Sequence, residues 1–240
     1  MSLNPFCRTE LLIGEEGLEK LKNSKVVVFG IGGVGSFVVE SLVRAGVGNL
    51  VLVDNDTVCI SNLNRQIHAT TKTVGMVKVE AMKERIALIN PECNVEAKQI
   101  FITADNIPEV VTEDIDYVVD AIDTVTSKLA LAEYCYKNDI KIMSSMGTGN
   151  KINPAMFQVS DVFKTKVCPL AKVMRYELKK RGVKKLKVVY SEEQPLTPDK
   201  GRAVPSGKRQ TPGSISFVPP VAGMIIGGEV IKDLVGISNK

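Results

Sequence analysis

The chain has no tryptophan, only one histidine, and no two cysteines in the Cys-x-x-Cys spacing among its 240 residues. Its five cysteines therefore lack the usual spacing of a structural zinc site, and no structural zinc is expected. Aromatic residues make up 5% of the sequence, which argues against a stacking platform for single-stranded nucleic acid. The lone histidine, His68, is a weak candidate for the proton-handling residue that hydride transfer to a nicotinamide requires.

Long apolar segments are also missing. No uninterrupted apolar run of about 18 residues occurs, and the N-terminus has no charged-then-apolar signal segment. The odd number of cysteines fits the reduced cytoplasm, where disulfides are rare, so we expect a cytoplasmic protein without a membrane span. The apolar stretch 215–235 is broken by prolines, glycines and Glu229, which favours a core or dimer-contact helix.

A glycine-rich turn follows the first apolar β-branched run. Residues 25–29 indicate a strand, and the glycines behind it open a helical pattern. Such glycines let the backbone turn sharply and approach a phosphate, which the N–H groups of a helix N-terminus attract. Asp54 ends the next strand about 20 residues further on, where a ribose-binding acid is found in dinucleotide sites. The turn predicts nucleotide binding through Gly30, Gly32, Gly33 and Gly35.

The residues after Asp54 distinguish an ATP site from an NAD site. The loop 54–66 is polar and carries Arg65, and Lys78 opens the next helix. A reaction that attacks an α-phosphate and expels pyrophosphate needs such fixed cations, whereas a plain nicotinamide site requires no arginine. Asp123 lies just past the apolar strand 116–121, at the edge where parallel sheets bind ligands. Its carboxylate is a candidate ligand for the magnesium that accompanies a triphosphate.

The alternation of elements predicts an α/β fold. We expect a Rossmann-like, mostly parallel sheet flanked by helices, with a C-terminal α+β extension that binds the substrate. A proline-rich loop, 192–213, precedes the final helix. The predicted strands are 25–30, 49–54, 94–101, 116–121, 140–145, 152–159 and 185–190, and the predicted helices are 33–46, 74–90, 104–111, 125–138, 168–181 and the apolar C-terminal stretch.

These motifs together resemble the adenylation site of the ubiquitin-activating-enzyme superfamily, whose members include ThiF-type adenylyltransferases. The resemblance implies one ThiF-type domain, 1–240, with a nucleotide-binding part at about 20–150 and a substrate-binding, dimerising part at about 151–240. It implies that the glycines cradle phosphate, that Arg65 and Lys78 contact the phosphates, and that Asp123 binds magnesium. The full ATP set is Gly30, Gly32, Gly33, Gly35, Asp54, Asp56, Asn62, Arg65 and Lys78.

The N-terminal segment 8–14 resembles the superfamily's Arg-Gln-x-x-Leu-x-Gly motif. In that superfamily the arginine of the motif reaches into the ATP site of the neighbouring subunit. The resemblance therefore implies a homodimer in which Arg8 acts in the partner's site.

Basic residues are concentrated in the second half of the chain. Such density suits the phosphate backbone of a structured RNA that is read by shape, although a solvated helix face stays an alternative. Cys168 precedes this basic helix and is a possible nucleophile, with an ordinary half-buried thiol as the alternative. The candidate tRNA-binding residues are Lys172, Arg175, Lys179, Lys180 and Arg181.

The second half decides between subfamilies. The segments 64–69, 168–175, 189–193 and 213–219, and the missing zinc cysteines, resemble the tRNA threonylcarbamoyladenosine dehydratase family. That resemblance implies ATP-dependent adenylation of the threonyl carboxylate on modified tRNA, followed by ring closure as AMP leaves. The alternatives are an adenylyltransferase for a ubiquitin-like sulfur carrier and, in another class, an NAD-binding oxidoreductase or a non-catalytic nucleotide-binding module. A sulfur-transfer partner stays open.

Overall fold

The computed structural model describes residues 4–198 and 212–237. Helices and strands alternate through most of this part of the chain. The helices are α1 (Cys7–Asn23), α2 (Gly35–Ala45), α3 (Lys78–Ala87), α4 (Ile107–Val110), α5 (Val125–Lys137), α6 (Pro169–Lys180) and α7 (Val218–Val235). The strands are β1 (Lys25–Phe29), β2 (Asn49–Val53), β3 (Asn94–Lys98), β4 (Tyr117–Asp120), β5 (Ile142–Ser145), β6 (Phe157–Asp161) and β7 (Lys187–Ser191).

The strands form one seven-stranded sheet in the order β3-β2-β1-β4-β5-β7-β6. All neighbours pair in parallel except β6 and β7, which are antiparallel. The predicted mostly parallel α/β sheet is confirmed, and the C-terminal extension continues the same sheet through β7 and β6. Because the chain leaves β1 for β2 on one side and β4 lies on the other, the carboxyl ends of β1 and β4 bound a crevice where such sheets bind ligands.

Both faces of the central strands of the sheet are buried. Val26 and Val28 of β1 belong to the apolar cluster under α2, α3 and α7, whereas Val27 and Phe29 belong to the cluster under α4 and α5. This alternation follows from the two-residue period of a strand. A further cluster packs α6 against α5 and β7. A continuous apolar run such as residues 26–29 of β1 is what a parallel sheet covered on both faces requires.

Helix α7 packs closely against α2. A Cβ on Gly223 would lie 2.4 Å from the carbonyl oxygen of Val34, and one on Gly227 would lie 2.6 Å from Cβ of Ser41. Glycine at these two positions therefore lets the two helices approach. As a result, the first turn of α7 brings Pro219 beside the glycine turn. A Cβ on Gly33 would lie 3.1 Å from the Cβ of Pro219.

The sequence patterns did not predict helix α1. It is kinked at Gly14, whose φ of 75° lies in the left-handed region. The predicted helix 74–90 begins only at Lys78, because residues 71–75 form turns. Residues 199–211 of the proline-rich loop 192–213 lie outside the described residues. Within the described part of the chain, no helix is long and apolar enough to cross a membrane.

Candidate active site

A cleft of about 790 Å³ opens at the carboxyl edge of the sheet, where β1, β2, β4 and β5 end. It brings together most of the side chains that the sequence proposed for nucleotide binding. Gly35 lies behind the turn and Arg8 lies on α1, and neither lines the cleft. The proposed residues that do line it are Gly30, Gly32, Gly33, Asp54, Asp56, Asn62, Arg65, Lys78 and Asp123.

The glycine turn is shaped by two close backbone approaches. Gly30 has a φ of 85°, and a Cβ there would lie 2.6 Å from the carbonyl oxygen of Ala121. A Cβ on Gly35 would lie 1.8 Å from the carbonyl oxygen of Gly30. These two positions accept only glycine without displacement of the backbone. By contrast, a Cβ on Gly32 would meet only the Gln66 amide, at 4.0 Å, so the turn leaves room above Gly32 for a ligand.

Asp54 fixes the geometry around this turn with both of its carboxylate oxygens. Oδ2 accepts a hydrogen bond from the backbone N–H of Ile31 at 2.7 Å, and Oδ1 accepts one from Asp56 N at 2.8 Å. Burial raises the pKa of the Asp54 carboxyl, an effect opposed mainly by the nearby Lys78 ammonium. The carboxylate thus ties the end of β2 to the turn after β1 and faces the cleft from that position.

Lys78 places a buried cation at the same edge. Its Nζ lies 2.7 Å from Oδ2 of Asp56 and 3.8 Å from Oδ1 of Asp54, while its backbone N–H donates to Asp56 O at 3.1 Å. The residue is 6% exposed, whereas the Asp56 side chain is 60% exposed. An ammonium has three N–H donors, so Lys78 can keep Asp56 as a partner and still donate to a ligand.

Arg65 projects from a short loop that is braced from within. The two N–H groups of Nη1 donate to Ser61 O at 2.8 Å and to Asn64 Oδ1 at 2.9 Å. Asn62 closes the same loop by accepting the Cys59 N–H on Oδ1 at 3.0 Å. Burial lowers the pKa of the Arg65 guanidinium, which nevertheless stays charged because arginine titrates far above neutral pH. The donors on Nε and Nη2 can serve an anion in the cleft.

Comparisons with known proteins show the family to which the chain belongs. The model of the ThiF family matches residues 6–240. A curated tRNA threonylcarbamoyladenosine dehydratase of Bacillus subtilis (strain 168) is 48% identical over 97% of this chain and 95% of its own length. The chain belongs to the ThiF family, in the group of the tRNA threonylcarbamoyladenosine dehydratases.

Solved structures of this group have the same fold. The structure of TcdA (CsdL) gives a TM-score of 0.90 at 38% identity, covering 97% of this chain and 94% of that one. The Escherichia coli tRNA N6-threonylcarbamoyladenosine dehydratase TcdA, solved in complex with ATP, gives a TM-score of 0.87 at 36% identity, with 96% and 93% covered.

Beneath the cleft of this ThiF-family protein lies a buried ion pair that the sequence patterns did not reveal. Lys128 of α5 and Asp120 of β4 are both 0% exposed, with Nζ 2.7 Å from Oδ2. Nζ also donates to Ser144 Oγ and to Ser145 O, each at 3.0 Å, while Asp120 Oδ1 accepts the N–H of Ile122. The pair therefore joins α5 to the ends of β4 and β5, directly below the loop that carries Asp123. A lysine three residues into a helix gives no sequence signal of this role.

The far wall of the cleft is formed by the segment that enters α7. Asn150 and Gly213 are joined by two hydrogen bonds, from Asn150 N to Gly213 O at 2.8 Å and from Gly213 N to Asn150 Oδ1 at 2.6 Å. Asn64, beside Arg65, donates to Ser214 O at 3.0 Å. The segment 212–214 is thereby fixed both to the loop after β5 and to the arginine loop, so the second half of the chain closes one side of the cleft.

Two further polar residues of this ThiF-family protein lie near Lys78. Cys59 is exposed and lines the cleft, and hydrogen bonds from Ser61 lower the pKa of its thiol. His68 is 2% exposed, and neither ring nitrogen has a hydrogen-bond partner. Burial, with the charges of Lys78 and Arg85, lowers the pKa of His68 to about 4, so the ring is neutral at physiological pH. This environment makes His68 a packing residue of the arginine loop.

The remaining sequence candidates lie outside the cleft. Cys168 is 1% exposed in the apolar cluster under α6, a position that favours packing over nucleophilic attack. The Arg175 guanidinium is partly buried and donates to Thr165 O at 2.9 Å and to Thr165 Oγ1. Arg181 pairs with Glu133 at 2.9 Å but stays exposed. The other three, Lys172, Lys179 and Lys180, are exposed on α6.

Proposed function

We propose that this protein is an ATP-dependent tRNA threonylcarbamoyladenosine dehydratase, which activates the threonyl carboxylate of the modified adenosine and closes it into a ring. The observation that carries the proposal is the cleft itself, in which the glycine turn, an aspartate pair, a buried lysine and a braced arginine meet in a chain 48% identical to such an enzyme. Membership of the ThiF family argues against the oxidoreductase alternative.

The reaction requires two bond exchanges. A carboxylate oxygen of the substrate attacks the α-phosphorus of ATP, and the bond from that phosphorus to the bridging oxygen breaks as pyrophosphate leaves. A nucleophilic group of the same modification then attacks the activated carbonyl carbon, a proton is lost, and AMP departs with the carboxyl oxygen. Water is thus removed from the substrate in net terms, at the expense of one ATP converted to AMP and pyrophosphate.

The cations of the cleft fit the first exchange. Negative charge builds on the α-phosphoryl oxygens and on pyrophosphate, and donors held in place before the reaction stabilise it without reorganisation. Lys78 is held by Asp56 and Arg65 by its own loop, so both are oriented in advance. Asp54 is positioned to accept ribose hydroxyls, and the glycine turn leaves space for phosphate at Gly32.

Asp123 is the residue that would bind Mg²⁺. Among the described residues, no three histidine, cysteine or acidic side chains cluster as a metal site. Mg²⁺ in nucleotide sites often takes only one or two carboxylates together with phosphate oxygens and water, so a single aspartate on the cleft wall fits this ion. When bound, the ion would neutralise the triphosphate.

Several features support a tRNA substrate and a dimer. Lys172, Lys179 and Lys180 give α6 an exposed basic face, suited to phosphates.

Leu11 and Leu12, next to Arg8 on α1, are each 85% exposed, which supports packing of α1 against a second copy with Arg8 at the partner's cleft. On this proposal the chain is one domain, 1–240, with its nucleotide part at about 20–150. Cytoplasmic location and a sulfur-transfer partner stay predictions.

The test compares possible acceptors. ATP labelled on the α-phosphate is incubated with magnesium, the protein, and either tRNA that carries threonylcarbamoyladenosine or a carrier protein ending in Gly-Gly. We expect AMP release with the modified tRNA and none with unmodified tRNA or the carrier. Transfer of the label to the carrier as an acyl adenylate, with release of pyrophosphate, would instead support the sulfur-carrier adenylyltransferase.

A further inference from the structure

Helix α6 presents an exposed stripe along one side. The buried residues Ala171, Met174 and Leu178 point to the interior, and Tyr176 lies at the centre of the opposite side by helical spacing. Tyr176 is 64% exposed, although aromatic side chains of this size usually bury most of their surface. The stripe, called here the α6 stripe, consists of Pro169, Lys172, Val173, Tyr176, Lys179 and Lys180.

The α6 stripe combines positive charge with an accessible ring. It contains three lysines and no acidic residue. Lys180 Nζ lies 3.9 Å from the centroid of the Tyr176 ring and also pairs with Glu177, beside the stripe, at 3.2 Å. A cation at this distance from a ring is attracted to its electron-rich face. The ring is thus held by Lys180 while most of its surface still faces solvent.

The helix that carries the stripe begins at the cleft. Leu170, in the first turn of α6, lines the cleft wall. From Pro169 to Tyr176 the helix rises about 10 Å, at 1.5 Å per residue. This length corresponds to roughly three stacked nucleotides at 3.4 Å each. A nucleotide chain with one residue in the cleft can therefore follow the stripe as far as Tyr176.

We propose that the α6 stripe is the surface that holds RNA beside the cleft, with Tyr176 stacked on an unpaired base and Lys172 and Lys179 on the adjoining phosphates. The proposal deepens the function proposed above and rests on it for the identity of the RNA. Charge complementarity favours an anionic partner, and an exposed ring among lysines distinguishes RNA from an acidic protein because every base has a π-face to stack. One exposed tyrosine serves one base, in a chain otherwise poor in aromatics.

Fluorescence tests the contact directly. The chain has no tryptophan, so Tyr176→Trp introduces a single probe that can be excited away from nucleic acid absorption. We expect titration with a short RNA hairpin that has an unpaired loop to quench this emission. The matched control is Leu88→Trp, at an 88% exposed residue that caps α3 on the other face of the sheet, whose emission should not change. Equal responses from both probes, or none from Tyr176→Trp, would overturn the proposal.

Kinetics tests the consequence. We expect Tyr176→Ala to raise KM for modified tRNA about tenfold, within the range found for loss of one base–aromatic stack, with kcat and KM for ATP unchanged. Tyr176→Phe keeps the ring and should behave as the parent. A fall in kcat without a change in KM for tRNA, or equal KM values for the alanine and phenylalanine variants, would refute the stacking role.

The outcomes separate this inference from the proposed function. If the parent protein dehydrates modified tRNA but RNA does not change the emission of Tyr176→Trp, the α6 stripe is not the docking surface, and the proposed function is still supported. If RNA quenches the emission of Tyr176→Trp but no cyclic product forms, the α6 stripe is supported as an RNA-binding surface and the proposed function is refuted. If the probe responds to a Gly-Gly carrier protein and not to RNA, the proposal is overturned in favour of a protein partner.

Discussion

Loss of Lys128 should destabilise this protein far more than loss of an ion pair of the same length on the same helix. Lys128→Met removes a charge whose Nζ donates to Asp120, Ser144 and Ser145, and leaves the 0% exposed Asp120 carboxylate without its cation. Breaking a buried pair in this way costs about 3–5 kcal/mol, a large fraction of a typical folding free energy.

The matched control lies on α5 as well. Lys137 pairs with Glu133 at the same distance, 2.7 Å, but the two side chains are 64% and 21% exposed. Lys137→Met should therefore cost about 0–1 kcal/mol, as exposed pairs do. Urea unfolding of the parent and of both variants gives the free energies of unfolding.

A second arm separates the charge from the packing. In the double variant that adds Asp120→Asn to Lys128→Met, no unpaired charge remains, so we expect it to cost less than the sum of the two single changes. Two results would refute the reasoning that burial decides the strength of these pairs. One is that the free-energy costs of the two single changes simply add in the double variant. The other is that the free energies of unfolding of Lys128→Met and Lys137→Met lie within about 1 kcal/mol of each other.

Three further outcomes are expected. The pKa of His68 is about 4 in the folded protein and 6.5 when the ring is exposed, so between these pH values the unfolded state binds one proton more than the folded state. The contribution of His68 to the free energy of unfolding should therefore be fully present above about pH 6.5 and fall by about 3 kcal/mol toward pH 4. In urea unfolding, His68→Gln should weaken this dependence of the free energy of unfolding on pH. Lys78→Ala should raise the barrier to AMP formation by about 2–4 kcal/mol in single-turnover assays, whereas the exposed control Lys72→Ala should not, and equal rates would contradict the role of Lys78. An Arg8→Ala chain mixed with an Arg65→Ala chain should recover part of the activity through one intact site, and light scattering that finds a monomer would exclude this arrangement.

The sheet and the cleft at its carboxyl edge could be predicted from the sequence because both depend on local patterns. The β-branched runs and the glycines of the first turn are contiguous, and the residues that end parallel strands must meet at one edge of the sheet. Gly30 and Gly35 illustrate this, since the close backbone approaches that require glycine occur within the turn and against the adjacent β4 end.

The parts that could not be predicted depend on contacts between distant segments. Nothing local marks Lys128 as a partner of Asp120, and Asn150 meets Gly213 only after the chain has returned across the sheet. Helix α1 was missed because its kink at Gly14 interrupts the helical pattern. The exposure of Tyr176 could likewise not be predicted from the low content of aromatic residues, because composition does not show which ring stays exposed on α6.

The central claim is best tested by mass spectrometry of tRNA nucleosides. tRNA that carries threonylcarbamoyladenosine is incubated with the protein, ATP and magnesium, digested under mild conditions, and compared with a reaction that contains the Lys78→Ala variant. We expect the parent protein to convert the nucleoside to a species about 18 mass units lighter, the mass of one water, and the variant to convert far less. Unchanged nucleoside in the parent reaction, with ATP consumed on a Gly-Gly carrier protein instead, would contradict the account.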